Sequence, residues 1–314
     1  MNATIFIDGA AGTTGLEIRE RLAGRADISL LALSDAQRKD ARARKGALNS
    51  ADLVILCLPD DAARESVAMI ENPKTRVIDA STAHRTADGW VYGFAELEAN
   101  GHDLIAHAKR VSNPGCWPTG FLALVRPLVR AGLIPADFPL TVHGVSGYSG
   151  GGKSMIEEFE KKESPAYVET VQRSYALGLS HKHIAEMTRH AGIDHAPLFS
   201  PSVARFYRGM LVEVPLQLWA LPGKPKPAHL HAALTNAYKN RPLIEVAGLD
   251  EAAGLKVLDA ELLSGSNRMK LFVFANEGQA RLVALFDNLG KGAGGAAVQN
   301  MNIMLGLPET TGLT

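Results

Sequence analysis

Two cysteines, a closely spaced pair of histidines and several glycine-rich turns are the residues of this 314-residue chain with types and spacing suited to chemistry. Asn113-Pro114-Gly115-Cys116-Trp117-Pro118-Thr119 sets one thiol directly after Pro-Gly and just before the apolar run Phe121-Leu122-Ala123-Leu124-Val125. Pro and Gly interrupt regular structure, and the run that comes next reads as a buried helix. Cys116 then falls at a helix N-terminus. There the positive end of the macrodipole and unpaired backbone N–H groups favour thiolate over thiol, which marks Cys116 as a covalent nucleophile. Cys57 lies inside the apolar run 51–59 and reads as core.

His181-Lys182-His183-Ile184-Ala185-Glu186 supplies groups that exchange protons near neutral pH, with a carboxylate that can fix a tautomer. Spacing does not choose between His181 and His183. The same pattern could serve zinc, but no thiolate pair accompanies it, and no metal is expected. Arg205 and Arg208, before a strand, offer guanidinium forks for oxyanions.

The elements that must position these groups begin with an apolar strand over residues 4–7. It runs into Gly9-Ala10-Ala11-Gly12-Thr13-Thr14-Gly15 and a helical segment over 16–22. Strand, glycine turn and helix form a dinucleotide-binding unit, in which glycines let the backbone approach a pyrophosphate at the helix N-terminus. Gly9, Ala10, Gly12, Thr13, Thr14 and Gly15 are its expected contacts. The next strand, 28–33, ends at Ser34-Asp35, about twenty residues past Gly15. Ser34 and Arg38, with Lys39, Arg42 and Arg44 behind them, tilt the expectation from NAD toward NADP. Further strands are expected at 51–59, 76–81 and 103–106. Ser81 and Arg85 leave the carboxyl end of one of them, the edge where open α/β sheets bind ligands.

Residues 147–154, Gly-Tyr-Ser-Gly-Gly-Gly-Lys-Ser, satisfy two unrelated motifs, the phosphate-binding P-loop and the Gly-x-Ser-x-Gly nucleophile elbow. Both demand continued βα alternation. Residues 209–221, 244–246 and 269–275 instead read as strands with little helix between, which predicts a mostly antiparallel second sheet. Gly147 is therefore expected in a loop that contacts an anion or cofactor, with a nucleotide triphosphatase the lesser alternative. Asn288, Gly290 and Lys291 open the C-terminal helix through another glycine-rich turn and are expected as a second cofactor contact.

Lys+Arg and Asp+Glu both number 33, so net charge gives no argument for nucleic acid or an anionic membrane. No apolar run reaches the length that spans a bilayer, no signal-like segment opens the chain, and two cysteines make no disulfide framework. A cytoplasmic enzyme of two domains is expected. One is an α/β Rossmann domain over 1–115 completed by a C-terminal helix in 291–314; the other is an α+β substrate domain over 116–290.

The cysteine motif, the N-terminal glycine turn, His181-Lys182-His183, and Lys291-Gly292-Ala293 leading to Gln299-Asn300-Met301-Asn302 occur here in one order. That set resembles the N-acetyl-gamma-glutamyl-phosphate reductases of arginine biosynthesis, in their shorter form, over nearly the whole chain. The aspartate-semialdehyde dehydrogenases are the nearest sister family, and they fit the tail and the His-Lys-His segment less well. The resemblance implies NADPH, an acyl-phosphate substrate, phosphate release and assembly into a homodimer or homotetramer. It also implies a thioester on Cys116, reduced to a thiohemiacetal that collapses to the semialdehyde. A histidine of the pair, His183 by preference, would move the protons. Ser81, Arg85, Asn113, Glu186 and Arg208 are then the expected substrate contacts, and backbone N–H groups around Cys116 would hold the oxyanion. The chain departs from longer relatives at Trp117 (commonly Tyr), Ser180 (Gly) and Ala185 (Pro), and across 200–207.

Overall fold

The computed structural model describes residues 2–313. In its N-terminal part β1 (Ala3–Asp8), β2 (Ile28–Leu31), β3 (Leu53–Leu56), β4 (Arg76–Asp79), β5 (Val91–Tyr92) and β6 (Arg110–Ser112) form one sheet in the order β2-β1-β3-β4-β6-β5. Every pairing in it is parallel. Strand side chains alternate between faces, and a parallel sheet needs both faces covered. Ile5, Ile7, Leu53, Ile55 and Ile78 accordingly enter one apolar cluster, while Phe6, Val54, Leu56 and Val77 enter another. Ile18 and Leu22 of α1 (Thr13–Leu22) and Val298 and Met301 of the C-terminal helix Gly295–Met304 cover the first. Ala47 and Leu48 of α2 (Ala41–Ser50) and Ala63 of α3 (Asp60–Met69) cover the second. The result is a doubly wound unit, made of the chain up to Ala95, Asn100–Pro114 and Ala293–Leu313.

One expected strand is corrected. Residues 103–106 lie in α4 (Gly101–His107), and the strand comes later, at β6. Asp103 followed by only three apolar residues is too short a run to distinguish strand from helix by period. Here Ile105 is buried beside the first cluster while Leu104 faces out, and the Leu104 N–H closes a helical turn onto the Asn100 carbonyl.

The second unit comprises Glu96–Ala99 and Gly115–Gly292. After α5 (Cys116–Arg130) come β7 (Thr141–Gly147), α6 (Gly152–Glu160), β8 (Gln172–Ser174), α7 (His183–Ala191), β9 (Leu198–Ala204) and β10 (Met210–Gln217). α8 (Pro227–Ala237), β11 (Ile244–Val246), α9 (Leu249–Gly254), β12 (Met269–Ala275) and β13 (Gln279–Phe286) complete it. The seven strands lie in the order β11-β12-β13-β10-β7-β9-β8. Four pairings are antiparallel and two, β7 with β9 and β11 with β12, are parallel. The sheet is mixed, with the antiparallel majority that the strand-rich pattern predicts. The β12–β13 hairpin turns on Asn276, whose Oδ1 accepts the N–H groups of Gly278 and Gln279 at 3.0 and 2.8 Å.

α5 is the axis of this unit. Residues 121–125 are fully buried, and the helix comes so close to the sheet at Gly120 that a Cβ there would lie 2.6 Å from Val212 Cγ2. Pro127 lacks the N–H that would serve the Ala123 carbonyl four residues back. The Tyr238 hydroxyl donates to that carbonyl at 2.8 Å instead, so the proline costs no buried hydrogen bond. Among the described residues no helix is long and apolar enough to cross a membrane.

Candidate active site

Cys116 is the first residue of α5, with Gly115 as an extended N-cap and no side-chain cap in front of it. Thr119 folds back on the same point, its N–H and its Oγ1 both donating to the Gly115 carbonyl at 2.9 Å. The Gly115 N–H donates to Glu186 Oε1 at 2.8 Å, with Glu186 itself 1 % exposed. The backbone on either side of the thiol is thus held rigid, and the first-turn N–H groups face the sulfur end of the helix, where negative charge is favoured. Gly292 packs directly beneath: a Cβ there would lie 2.9 Å from the Cys116 Cβ. A side chain at 292 would crowd the base of the Cys116 side chain, so something there would have to shift.

An aromatic and imidazole cluster gathers around Trp117, the residue after the thiol, within the same unit. Trp117 is buried and donates its Nε1–H to the Tyr175 hydroxyl at 2.8 Å, with its ring edge-on to Phe199 at 5.2 Å. His181 lies 4.7 Å from the His183 ring, 5.2 Å from Phe199 and 6.0 Å from Tyr175, centroid to centroid. The His183 N–H donates to His181 Nδ1 at 3.2 Å, so that nitrogen carries a lone pair and the neutral tautomer has its proton on Nε2. Burial first, and the Lys182 charge second, lower the His181 pKa, which keeps the ring neutral. His183 begins α7, and Glu186 lies one turn later on the same helix. Burial first, and the negative charge of Cys116 second, push the Tyr175 phenol well above its ordinary range, so it stays protonated. Among the described residues no three His, Cys, Asp or Glu side chains gather as a metal site.

The glycine loop is built differently from a P-loop. The N–H groups of Gly147, Tyr148 and Ser149 donate to the carbonyls of Gly209, Phe206 and Tyr207 at 2.9, 2.9 and 3.1 Å. An anion cradle needs those donors turned inward to the ligand. β13, the strand that a P-loop reading would take for its magnesium-binding partner, runs antiparallel between β10 and β12. Asn288 braces this loop, donating to Ser149 Oγ and accepting from the Gly209 N–H, both at 2.9 Å. At Gly147 and Gly290 a Cβ would lie 2.6 Å from the Tyr207 oxygen and 2.1 Å from the Ser266 oxygen, so both glycines serve close packing. Lys291 is 2 % exposed, its Nζ held by both Glu96 carboxylate oxygens at 2.7 and 2.9 Å. Arg208 Nε lies 2.7 Å from Asp287 Oδ2, and fully buried Asp287 also accepts the N–H groups of Gly265 and Leu289. Arg205 donates to the carbonyls of Thr170, Phe159 and Val168 and so anchors a loop.

In the first unit the turn after β1 has the shape a dinucleotide pyrophosphate needs. Gly9 has φ +88°, and a Cβ there would lie 2.3 Å from the Cys57 oxygen; one at Gly15 would lie 2.6 Å from the Gly9 oxygen. These two glycines are demanded by the protein itself. A Cβ at Gly12 would meet nothing closer than 3.5 Å, so the bare backbone there leaves a cradle that a side chain would fill. α1 has Gly12 as N-cap, no side-chain cap and no acid in its first turn, the arrangement an anion prefers at Thr13 and Thr14. Beyond β2, Arg38 pairs with Asp35 and offsets its charge, while Ser34 exchanges hydrogen bonds with Gln37. The residues fit a dinucleotide cofactor.

Ser81, Arg85 and Asn113 meet in a polar network at the carboxyl end of β4. Ser81 Oγ donates to Asp79 at 2.7 Å; Arg85 donates to the carbonyls of Asn113 and Ala80 at 2.9 and 3.0 Å. Asn113 Nδ2 donates to the Ala293 carbonyl at 3.0 Å, and its Oδ1 accepts from Asn300 at 3.1 Å. Sequence reasoning passed over His84, whose Nδ1 lies 2.6 Å from Asp79 Oδ2 and whose ring stacks on Trp90 at 4.1 Å. It also passed over Tyr175, Gly292 and Glu96. Only long-range contacts reveal Tyr175 and Glu96. His84, one residue before Arg85 at a strand's carboxyl end, carried a local signal.

Residues 4–105 match the family described as semialdehyde dehydrogenase, NAD binding domain, and residues 116–288 match semialdehyde dehydrogenase, dimerisation domain. The solved aspartate semialdehyde dehydrogenase II of Vibrio cholerae is similar over 97% of this chain and 99% of its own, with a TM-score of 0.74 at 14% identity. The Candida albicans aspartate semialdehyde dehydrogenase, solved with NADP, reaches 0.67 at 13% identity over 96% of this chain and 98% of its own. At such identities the likeness speaks for the fold, two domains of the expected class. In sequence the chain is 53% identical to the N-acetyl-gamma-glutamyl-phosphate reductases of Brucella ovis and Brucella melitensis biotype 2, over 98% of this chain and 100% of each relative. With matches that together span most of its length and an N-terminal turn shaped for a dinucleotide, this chain belongs to the N-acetyl-gamma-glutamyl-phosphate reductase family of semialdehyde dehydrogenases.

Proposed function

We propose that the protein reduces N-acetyl-L-glutamyl 5-phosphate with NADPH to N-acetyl-L-glutamate 5-semialdehyde and phosphate, in arginine biosynthesis, with Cys116 as nucleophile. The observation that carries the reading is a thiol at the head of a buried helix, its backbone clamped by Glu186, which lies one turn along α7 from His183, itself 4.7 Å from the His181 ring. The Cys116 thiolate attacks the acyl carbon, and the C–O bond to phosphate breaks as phosphate leaves, giving a thioester. NADPH, when bound, supplies the hydride that this carbon takes up. The resulting oxyanion is held by first-turn N–H groups of α5 and is protonated and deprotonated by the His181/His183 pair. Collapse breaks the C–S bond, releases the aldehyde and restores the thiolate. Arg85 and Arg208, each oriented by hydrogen-bonded neighbours, supply cationic groups for the substrate's phosphate and carboxylates. Gly12, Thr13 and Thr14 take the cofactor pyrophosphate, and Ser34 and Arg38 sit at the expected adenosine end. In this reading Asn288, Gly290 and Lys291 shape the catalytic unit from within, and Gly147 packs its glycine loop.

The test runs the reaction backward, because the acyl phosphate is labile. N-acetylglutamate semialdehyde, phosphate and NADP are supplied and reduced cofactor is followed by absorbance. Phosphate-dependent reduction by the wild type, and none by Cys116→Ser, is the expected result.

The second unit, matched by a family described as a dimerisation domain, joins copies of the chain into a dimer or tetramer. Light scattering checks this, a monomeric mass opposing it. Both cysteines are free thiols, which fits a reducing cytoplasm.

A further inference from the structure

We propose that the Tyr175 hydroxyl is a catalytic hydrogen-bond donor, placed to bind the substrate oxygen on the carbon that becomes bonded to Cys116. The inference rests on the reading of Cys116 as nucleophile.

Three observations converge on it. First, indole Nε1 is a donor only, so the 2.8 Å contact from Trp117 makes the phenol oxygen an acceptor there. The phenol's single proton must then point elsewhere. Among the described residues the bond from Trp117 is the one hydrogen bond the Tyr175 side chain makes, so the protein gives that proton no acceptor. Second, the donor is held in place at both ends. Trp117 is 2 % exposed, sits next to Cys116 on α5 and packs edge-on against Phe199. The backbone N–H of Tyr175 bonds the Pro201 carbonyl at 3.2 Å, just past the β8–β9 pairing. Third, the side chain reaches the groups assigned to the chemistry: its hydroxyl sits on the indole of the residue after Cys116, His181 meets its ring edge-on at 6.0 Å, and a negative charge on Cys116 acts on the phenol. A fixed, protonated, unmatched donor at this point is complementary to an oxyanion that exists only after attack. Such preorganisation lowers a barrier without tightening ground-state binding. A hydroxyl group that served only packing would be replaceable by Phe.

The experiment uses the full-length protein and the reverse assay, comparing wild type, Tyr175→Phe and Trp117→Phe. NADP affinity and the second-order rate of Cys116 alkylation by iodoacetamide are measured alongside, with the labelled residue identified by peptide mass mapping. Tyr175→Phe is expected to lower kcat by roughly 10- to 100-fold, with NADP affinity and alkylation rate within about twofold of wild type. Trp117→Phe, which frees the phenol from its partner, is expected to lower kcat severalfold. A Tyr175→Phe enzyme with wild-type kcat overturns the proposal. So does a loss of kcat matched by an equal loss of alkylation rate, since Tyr175 would then only prop the thiol. If Tyr175→Phe does not fold, Trp117→Phe decides, and a wild-type kcat there overturns the proposal. Failure of the underlying reading looks different: wild-type enzyme stoichiometrically alkylated at Cys116 would keep its activity.

Discussion

The chain contains two thiols, and the backbone around each gives it an opposite character. Cys57 lies immediately after a parallel strand of the first unit, its N–H bonded to the Asp8 carbonyl at 2.8 Å and its own carbonyl pressed against Gly9. Burial, then the nearby carboxylates of Asp79 and Asp8, push its thiol up to about 12. Cys116 begins a helix of the second unit, with N–H groups at its head and the Gly115 N–H before it held by Glu186 of the helix that His183 opens. A strand end surrounded by carboxylates keeps a thiol protonated and inert; a helix start offers partial positive charge to a thiolate. Residue type alone is silent on this difference. It lies in the neighbouring chain: an apolar strand runs up to Cys57, whereas a Pro-Gly break precedes Cys116 and a helix begins there.

The largest expected effect breaks the comparison open. Cys116→Ser should lower reverse turnover by ~10³-fold or more, because a serine there lacks a base strong enough to replace the thiolate. Cys57→Ser should leave kcat within about twofold and lower stability by ~1 kcal/mol through the changed core contact. Steady-state kinetics and urea denaturation of the two variants separate these outcomes. Comparable loss of turnover in both would erase the distinction.

The next effect concerns the packing under Cys116. Lys291 precedes Gly292, and its ammonium is buried on Glu96. Lys291→Met takes from the buried Glu96 carboxylate the ammonium that both its oxygens hold, which should cost ~3–5 kcal/mol of stability. The double variant Lys291→Met/Glu96→Leu removes both charges and should recover most of that loss. A double-mutant cycle in urea reads the recovery directly. A smaller effect is expected at the next residue. Gly292→Ala puts a methyl group 2.9 Å from the Cys116 Cβ, 3.2 Å from Phe286 and 3.3 Å from the Asp287 oxygen, so it should cost ~1–3 kcal/mol. Because one of those neighbours is the proposed nucleophile, kcat should fall more than stability does. A variant that loses stability but keeps kcat would show that the thiol is not seated by this contact.

The two cysteines also show how much was legible in the sequence. The N-terminal strand, glycine turn and helix, the helix at Cys116 and the strand-rich second unit all come from local signals: Pro-Gly breaks, apolar runs and glycine spacing. The residues 103–106 misled because an aspartate and three apolar positions carry no usable period, and packing of Ile105 decided for helix. The P-loop match misled in the opposite way. Its residue types are all present, but partner carbonyls at 206, 207 and 209 claim the N–H groups of the motif's first three residues, 147–149. Those carbonyls are some sixty residues away in sequence, so no local motif contains them. The same reason hides Tyr175 from a reading of the cysteine motif, and it hides Glu96 as the carboxylate that holds Lys291. Sequence types what a side chain is able to do. Long-range contacts decide which of those abilities remain available.

Burial keeps Cys57 protonated, and the same physics with opposite sign keeps His181 unprotonated. Desolvation penalises whichever form is charged, raising the pKa of an acid and lowering that of a base. For His181 burial comes first and Lys182 second, moving the value down from 6.5, and protonating Nδ1 would also forfeit its bond from the His183 N–H. The unfolded chain therefore binds this proton more readily than the folded one between the lowered value and about 6.5. Across that window stability must rise with pH. It is flat above the unfolded value, and below the folded value the loss is complete. His181→Gln keeps a hydrogen-bonding side chain but cannot titrate, so the stability of wild type relative to this variant should increase through the window and then level off. Since His181 is only half-buried, this is the smallest of the effects, best resolved by urea denaturation at closely spaced pH values under constant ionic strength. A relative stability that falls with rising pH would mean that the imidazolium is the form the folded site prefers, and His181 would then serve as a resident cation rather than a neutral proton carrier.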